Sequence, residues 1–235
     1  MKTPHPPIDI PATLRELPLF SEISDGEIRQ IAVATREHWL DRDEIRLQQG
    51  DLPRGFHYVI AGQVKLGFTS RQGNEKTVEI LGPRKSFGEA VLFLDRPYPV
   101  FAEALEDTLL LHIDRHVVFD LIEQNPAFSR SLLAGMAIRL HSMLRDVEDY
   151  SLHSGSQRLI SYLFSLRAED GEDGGCPAHA NLELPPSKHV VASRLNLVPE
   201  TFSRILRDLS EHGLITVHGR QVTIENPGRL MKMCD

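Results

Sequence analysis

The stretch "LVPETFSRILRDLSEHGLI", residues 197–215, holds the side chains best equipped for recognition chemistry. Phe202, Ile205, Leu206 and Leu209 recur at i, i+3, i+4 and i+7, the spacing of one buried face of an amphipathic helix. Glu200, Thr201, Ser203, Arg204 and Arg207 fall on the opposite face. An arginine can grip guanine O6 and N7 with two hydrogen bonds, a glutamate can accept from cytosine N4, and a serine or threonine can serve thymine or phosphate. Each good pair is worth roughly 1–3 kcal/mol of discrimination between bases. Such a set on the first two turns of a helix suits the major groove of DNA; the rival interpretation is a polar face that only meets solvent.

The residues on either side supply the frame such a helix needs. "SKHVVASRLN" predicts a preceding helix with Ser187 as N-cap and Val190, Val191 and Leu195 on its apolar side. Pro199 suits the first turn of the second helix, where a missing N–H costs nothing, and Gly213 is placed to end it. "LITVHGRQVTIE" alternates with period two and turns at His218 to Arg220, a hairpin wing that would bring Arg220 toward backbone phosphates. Between Pro185 and Ile224 there are five basic residues (Lys188, Arg194, Arg204, Arg207, Arg220) against three acidic ones (Glu200, Asp208, Glu211), although the whole chain carries −7. Overall charge therefore speaks against nonspecific nucleic-acid binding and leaves room for a local basic face.

Upstream the pattern changes twice. Residues 12–38 show helical spacing at Leu14, Leu17, Ile28, Ile31 and Val33, with Ser24 and Glu27 forming a capping box. From Trp39 to Ile113, short segments such as "FHYVIAG", "QVKLGFT", "KTVEILG" and "TLLLHI" are divided by glycines at 50, 55, 62, 73, 82 and 88. Strands of that length at that turn spacing predict a β-sandwich or barrel, and the middle of the chain is expected to be a β-roll. After Asp114 come a short helix stopped before Pro126 and a long one from about Ala127 to Leu152. Along the long helix Leu133, Ala137, Leu140, Leu144, Val147 and Ser151 alternate at three and four residues with charged flanks (Arg139, Arg145, Asp146, Glu148, Asp149), a stripe that suits a homodimer seam, with packing on the helix's own domain core as the rival interpretation. "SQRLISYLFSLRAE" predicts a further helix, and "DGEDGGCPAHAN" a mobile surface loop whose acids are solvated. The expected architecture is α+β in three parts: a β-roll at 1–126, a dimerisation helix at 127–152 and a winged-helix domain at 153–235.

Composition narrows the function classes. A hydrophobic fraction of 41% with 25% charged residues over 235 positions is that of a globular protein. The longest apolar runs are too short to span a bilayer and "MKTPHPPIDIP" has no apolar core of a signal peptide, so a cytoplasmic protein with no membrane partner is expected. Cys176 and Cys234 are the only cysteines, which predicts neither a disulfide framework nor a cysteine-ligated cluster. A cupin-type metal enzyme would need His-x-His on a strand, and no such pair occurs. No metal site and no catalytic residue are expected; the chain reads as a binding protein, not an enzyme.

Five segments in register, "PLFSEIS", "LQQGDLPRGFHYVIAGQVKL", "SFGEAVLF", the long helix and "PETFSRILRDLSEHGLITVHGRQVTI", resemble the Crp/Fnr family of bacterial transcription regulators over nearly the whole chain. The resemblance implies an N-terminal effector-binding β-roll like that of cyclic-nucleotide-binding jelly rolls, a long dimerisation helix and a C-terminal winged helix-turn-helix. It implies double-stranded DNA, a second copy of the chain and RNA polymerase as partners. The family's reading positions fall on Glu200, Ser203 and Arg204, with Thr201, Arg207, Ser187 and Arg220 as further contacts. This combination resembles the fumarate and nitrate reductase regulator branch, whose half-site is TTGAT, and not the catabolite activator branch, which has Gly where Ser203 stands.

For the effector the resemblance places Gly88, Glu89, Val100, Leu140, Met143 and Leu144 around the pocket. Pro99 and Val100 replace the Arg-Ser pair that clamps a cyclic phosphate, so cyclic AMP loses its charge-assisted partner and is not the expected ligand. No cysteine precedes Cys176, which removes the iron-sulfur sensing device. What remains resembles the dissimilative nitrate-respiration (Dnr) branch, which looks like a group of haem-dependent nitric oxide sensors controlling denitrification. An apolar pocket taking haem is the expectation, with His57 and His141 as candidate axial ligands.

Overall fold

The computed structural model describes residues 7–169 and 180–233. The acidic glycine-rich segment, apart from its last two residues, and both cysteines lie outside the described residues. The chain forms two compact units, Met1–His141 and Ser142–Asp235.

The first unit opens with α1 (Ile10–Arg15), a 3-10 turn at Pro18–Phe20 and α2 (Asp25–Val33). Ser24 and Glu27 form the expected capping box on α2. Helical structure stops at Val33, short of the predicted stretch, because Thr35 already pairs with Ile113 in a sheet. Val33 is itself 88% exposed; two residues beyond Ile31 it points away from the buried face.

Strands β1 (Thr35–Leu40), β2 (Ile45–Leu47), β3 (Gly55–Ala61), β4 (Val64–Thr69), β5 (Glu75–Leu81) and β6 (Ser86–Phe87) follow; then come the short helix α3 (Glu89–Leu94), β7 (Phe101–Ala104) and β8 (Thr108–Asp114). They pair as two antiparallel four-stranded sheets, β1-β8-β3-β6 and β2-β7-β4-β5. One set of alternating residues, including Leu40, Val59, Val64, Leu66, Phe87, Ala102 and Leu110, fills the space inside the roll. The other set of the first sheet, Phe56, Tyr58, Leu111 and Ile113, packs outward on Leu14, Phe20, Ile28 and Ile31 of the N-terminal helices. Gly55 is not the turn residue that its place in the sequence suggested. It lies within β3, where an added Cβ would come within 2.0 Å of the Ile113 carbonyl oxygen.

Helix α4 (Arg115–Gln124) is capped by Asp114 and followed by α5 (Pro126–Leu152). Asn125 joins them: its side-chain oxygen accepts from the N–H groups of Ala127 and Phe128 while its amide donates to Glu27 of α2. Phe128 and Leu132 of α5 are buried in the first unit's core and Met136 packs against it. The division between the two units falls within α5, between His141 and Ser142.

The second unit continues with α6 (Gly155–Glu169), β9 (Ala180–Glu183), α7 (Lys188–Arg194), α8 (Pro199–Glu211), the hairpin β10 (Ile215–His218) and β11 (Gln221–Ile224), and α9 (Pro227–Met231). The wing has one strand more than the sequence suggested, in the order β10-β11-β9. Phe202, Ile205, Leu206 and Leu209 of α8 are all buried, together with Val190, Val191 and Leu195.

Candidate nucleic-acid interface and sensory site

Helix α8 begins at Pro199 after Val198 in extended conformation, and α7 reaches it through a turn in which Asn196 takes a left-handed φ of 55°. With its four apolar residues committed to the core, α8 leaves Glu200, Ser203, Arg204 and Arg207 exposed and Thr201 half-buried on the outer side. None of these five side chains is engaged in a hydrogen bond or ion pair with another described residue. They form one unobstructed polar face over the first turns of the helix. Ser187 has a different task from the expected DNA contact: its hydroxyl caps α7 by accepting from the Val190 N–H at 3.4 Å. Arg220 does sit at the hairpin tip, but its Nε donates to the Leu184 carbonyl at 2.9 Å and its Nη2 lies 3.2 Å from Glu183. It ties the hairpin to the end of β9 and stays 39% exposed, at the place where the sequence expects a phosphate contact.

The basic excess of this region is also smaller than the sequence tally. Arg194 is bound to both carboxylate oxygens of Asp146 at 2.7 and 2.8 Å and donates to the Tyr150 hydroxyl at 2.6 Å. Tyr150 in turn donates to the Arg194 carbonyl. Asp146, expected as a charged flank of the long helix, is therefore half of a partly buried ion pair. Lys188, Arg204 and Arg207 remain exposed.

In the first unit, Gly88 starts α3 with φ of 100°, and a Cβ there would come within 3.0 Å of the Tyr98 hydroxyl, so only glycine fits. Beside it Glu89 is buried, with Arg139 Nη1 at 3.6 Å; Arg139 also binds Glu79 and the Ser86 carbonyl. Burial raises the Glu89 pKa, and Arg139 opposes that rise. Of the expected pocket residues, Glu89 has an ionic partner in Arg139, whereas Gly88 lies against Tyr98 and Phe56. Arg139, expected as a charged flank, provides the cation. Val100 is half-buried against the core of the roll. Leu140, Met143 and Leu144 are instead exposed by 62, 54 and 61%, the last two belonging to the second unit. With Leu133, Ala137 and Val147, also exposed, they leave the predicted seam of α5 uncovered.

His57 is 1% exposed, stacked on Phe87 at 4.9 Å and 4.7 Å from the ring of His112. His38 stands 6.0 Å beyond His112 and meets Arg46 Nη2 at 3.2 Å. All three imidazoles face into the roll, since they share the inward parity of Leu40, Val59 and Leu110. Burial holds their pKa values down: well below the ordinary range for His57, to about 4 for His112, and lower for His38. Neither ring nitrogen of His57 has a protein partner. A macrocycle needs open space at the donor nitrogen, and His57, 1% exposed inside the packed roll, does not offer it. His141 is exposed on α5 beside Leu140 and Leu144, which gives a free imidazole next to apolar side chains. Among the described residues no group of three or more His, Cys, Asp or Glu side chains is placed to hold a metal ion. No helix among them is long and apolar enough to cross a membrane.

Two family matches fall on this architecture: the cyclic nucleotide-binding domain at residues 37–125 and the Crp-like helix-turn-helix domain at 157–233. The chain belongs to the Crp/Fnr family of DNA-binding transcription regulators. The Cyclic AMP receptor protein of Thermus thermophilus is 28% identical over 198 residues, covering 84% of this chain and 88% of its own length. FixK2 from Bradyrhizobium japonicum has the same fold, with a TM-score of 0.75 at 20% identity, covering 86% of this chain and 98% of that one. The sensor domain of the transcriptional regulator DNR from Pseudomonas aeruginosa is similar at 26% identity and a TM-score of 0.52, covering 57% of this Crp/Fnr chain and 90% of the domain. The first match lies over the β-roll and the second over α6 to the last helix; the whole of α5 lies between them.

Proposed function

We propose that this Crp/Fnr regulator is a cytoplasmic homodimer that reads a TTGAT-(four bases)-ATCAA-like palindrome and activates genes of anaerobic respiration, denitrification among them, through RNA polymerase. One observation carries the DNA half of the proposal: Glu200, Ser203 and Arg204 share the exposed, unengaged face of α8. Arg204 would grip guanine, Glu200 would accept from cytosine, and Ser203 fits the thymine-rich end of the half-site. The uncovered seam of Leu133, Ala137, Leu140, Leu144 and Val147 supports pairing with a second copy. Two-fold symmetry then presents two reading helices to half-sites about one helical turn, ~34 Å, apart. Selection of duplexes from a random pool should return that palindrome. An unrelated half-site, or none, would overturn the assignment.

The sensory half extends to nitric oxide perceived through haem, and the likeness to the DNR sensor domain supports it. Cyclic AMP does not carry over from the relatives named for it, because Pro99 and Val100 stand at the phosphate clamp. His141 is the imidazole that would hold haem, with Leu140, Met143 and Leu144 as its apolar neighbours. Bound there, haem would supply an iron able to take nitric oxide. The chain's own part is to offer the nitrogen and the apolar surface, and ligand entry could act on DNA binding only through different affinities for two arrangements of the dimer. A haem-reconstituted sample should show a Soret shift with nitric oxide that His141→Ala abolishes, and different affinities for TTGAT duplexes with and without the gas. The Glu79–Arg139–Glu89 cluster favours a second possibility, a regulator with no small-molecule effector, because Arg139 already satisfies Glu89. Equal affinity in both states with no Soret shift would select it.

A further inference from the structure

At the C-terminal end of α5, one face carries the seam residues Leu144 and Val147, and the neighbouring face carries Asp146 and Tyr150. These last two close on Arg194, the final residue of α7. Asp146 accepts two hydrogen bonds from Nη2, and the Tyr150 hydroxyl both accepts from Nη1 and donates to the Arg194 carbonyl. Side-chain exposures of 16% for Arg194 and 28% for Asp146 shield the pair from solvent. Arg158 of α6 adds a second tie, donating from Nη1 to the His153 carbonyl at the end of α5 and from Nη2 to the Asn196 carbonyl in the turn before α8. Leu197 of that same turn packs on the start of α6, where a Cβ on Gly155 would meet it at 2.8 Å. The first two ties link the end of α5 to the helix-turn-helix, the third links α6 to it, and none uses the reading face.

We propose that the Asp146–Arg194–Tyr150 clasp is the positioning element that fixes the direction of the reading helix relative to the seam of α5, and so sets the spacer length a dimer accepts between its half-sites. This rests on the palindrome-reading function proposed above. With Nη2 held by both oxygens of Asp146, Nη1 by the Tyr150 hydroxyl and that hydroxyl returned to the Arg194 carbonyl, both ends of the guanidinium are tied to α5, and its charge-assisted bonds fix an orientation as well as a distance. In a two-fold dimer an error in that orientation is expressed twice, once at each half-site. Base preference within a half-site depends on Glu200, Ser203 and Arg204 alone and should not change.

The experiment measures the full chain on duplexes whose two half-sites are separated by two to six bases, and on a duplex with a single half-site. Wild type should favour one spacer by about tenfold or more over its neighbours, the scale of one well-placed contact. Asp146→Asn and Tyr150→Phe should reduce that preference to within about threefold, while base preference within the half-site and the sedimentation coefficient of the dimer stay at wild-type values. Tyr150→Phe removes two hydrogen bonds without opening a cavity and keeps the test valid if Asp146→Asn fails to fold. Asp146→Glu should restore most of the spacer preference. A folded, dimeric variant with the wild-type spacer profile overturns the clasp. Wild type with no spacer preference at all overturns both the clasp and the palindrome on which it rests.

Discussion

Arg204 stands on the exposed side of α8 between the buried Phe202 and Ile205, so its guanidinium can reach outward without disturbing the core. Arg204→Ala is expected to lower preference for the guanine of each half-site by roughly 1–3 kcal/mol, read by competition between duplexes differing only at that base. An equal loss for every duplex would mean a phosphate contact instead. At the same scale, the buried histidines give the β-roll an acid limb. Their pKa values are lower in the folded chain than the ordinary 6.5, so on acidification the unfolded chain takes up protons first. The stabilisation is whole above pH 6.5 and is lost as pH falls toward 4, the value to which His112 is lowered. Arg46 and Arg36 act in the same direction on His112, and Asp114 opposes them. Thermal unfolding should therefore shift down by roughly 5 °C or more between pH 7 and pH 5, and His57→Leu should make that decline shallower. An identical decline in the variant would place its origin elsewhere. His57 was visible in the sequence as a histidine on a strand, but its partners were not. Strand pairing brings positions 38, 57 and 112 together, and no local spacing records it.

At the scale of elements, periodicity told most of the story. The buried faces of α7 and α8, the hairpin turn at His218 to Arg220 and the capping box of α2 all follow from local pattern. The apolar stripe of α5 was legible for the same reason, and it is exposed in the folded chain, as the proposed homodimer requires. Leu140→Glu with Leu144→Glu should convert the protein to a monomer in sedimentation equilibrium, since two charges per chain would have to be buried against their copies. A dimer that persists would move the interface elsewhere. Ser187→Ala should destabilise the second unit by about 1 kcal/mol in denaturant unfolding and leave base preference unchanged, as suits a cap. Altered base preference would return Ser187 to the DNA interface. The ionic roles of Arg139 and Asp146 were not legible, because a charged residue beside an apolar stripe looks the same whether it meets solvent or a carboxylate from another element.

For the whole molecule, a charge of −7 combined with a reading face limited to Lys188, Arg204 and Arg207 implies strong dependence on sequence-specific contacts. Binding to duplexes without the half-site should be weaker than about 10⁻⁵ M at physiological salt. Tight binding there would require a basic surface beyond the one described. The sequence by itself determined the order of parts, from β-roll through long helix to winged helix-turn-helix, because each has its own period and its own turn signals, and it determined which face of α8 is free to read. Only the tertiary structure decided which charged groups are already spent: Arg194 on Asp146, Arg220 on Glu183, Arg139 on Glu79 and Glu89. It also decided that His57 lies sealed between Phe87 and His112. Those outcomes depend on which distant segments meet, and a one-dimensional pattern carries the faces of its elements without the partners they will find.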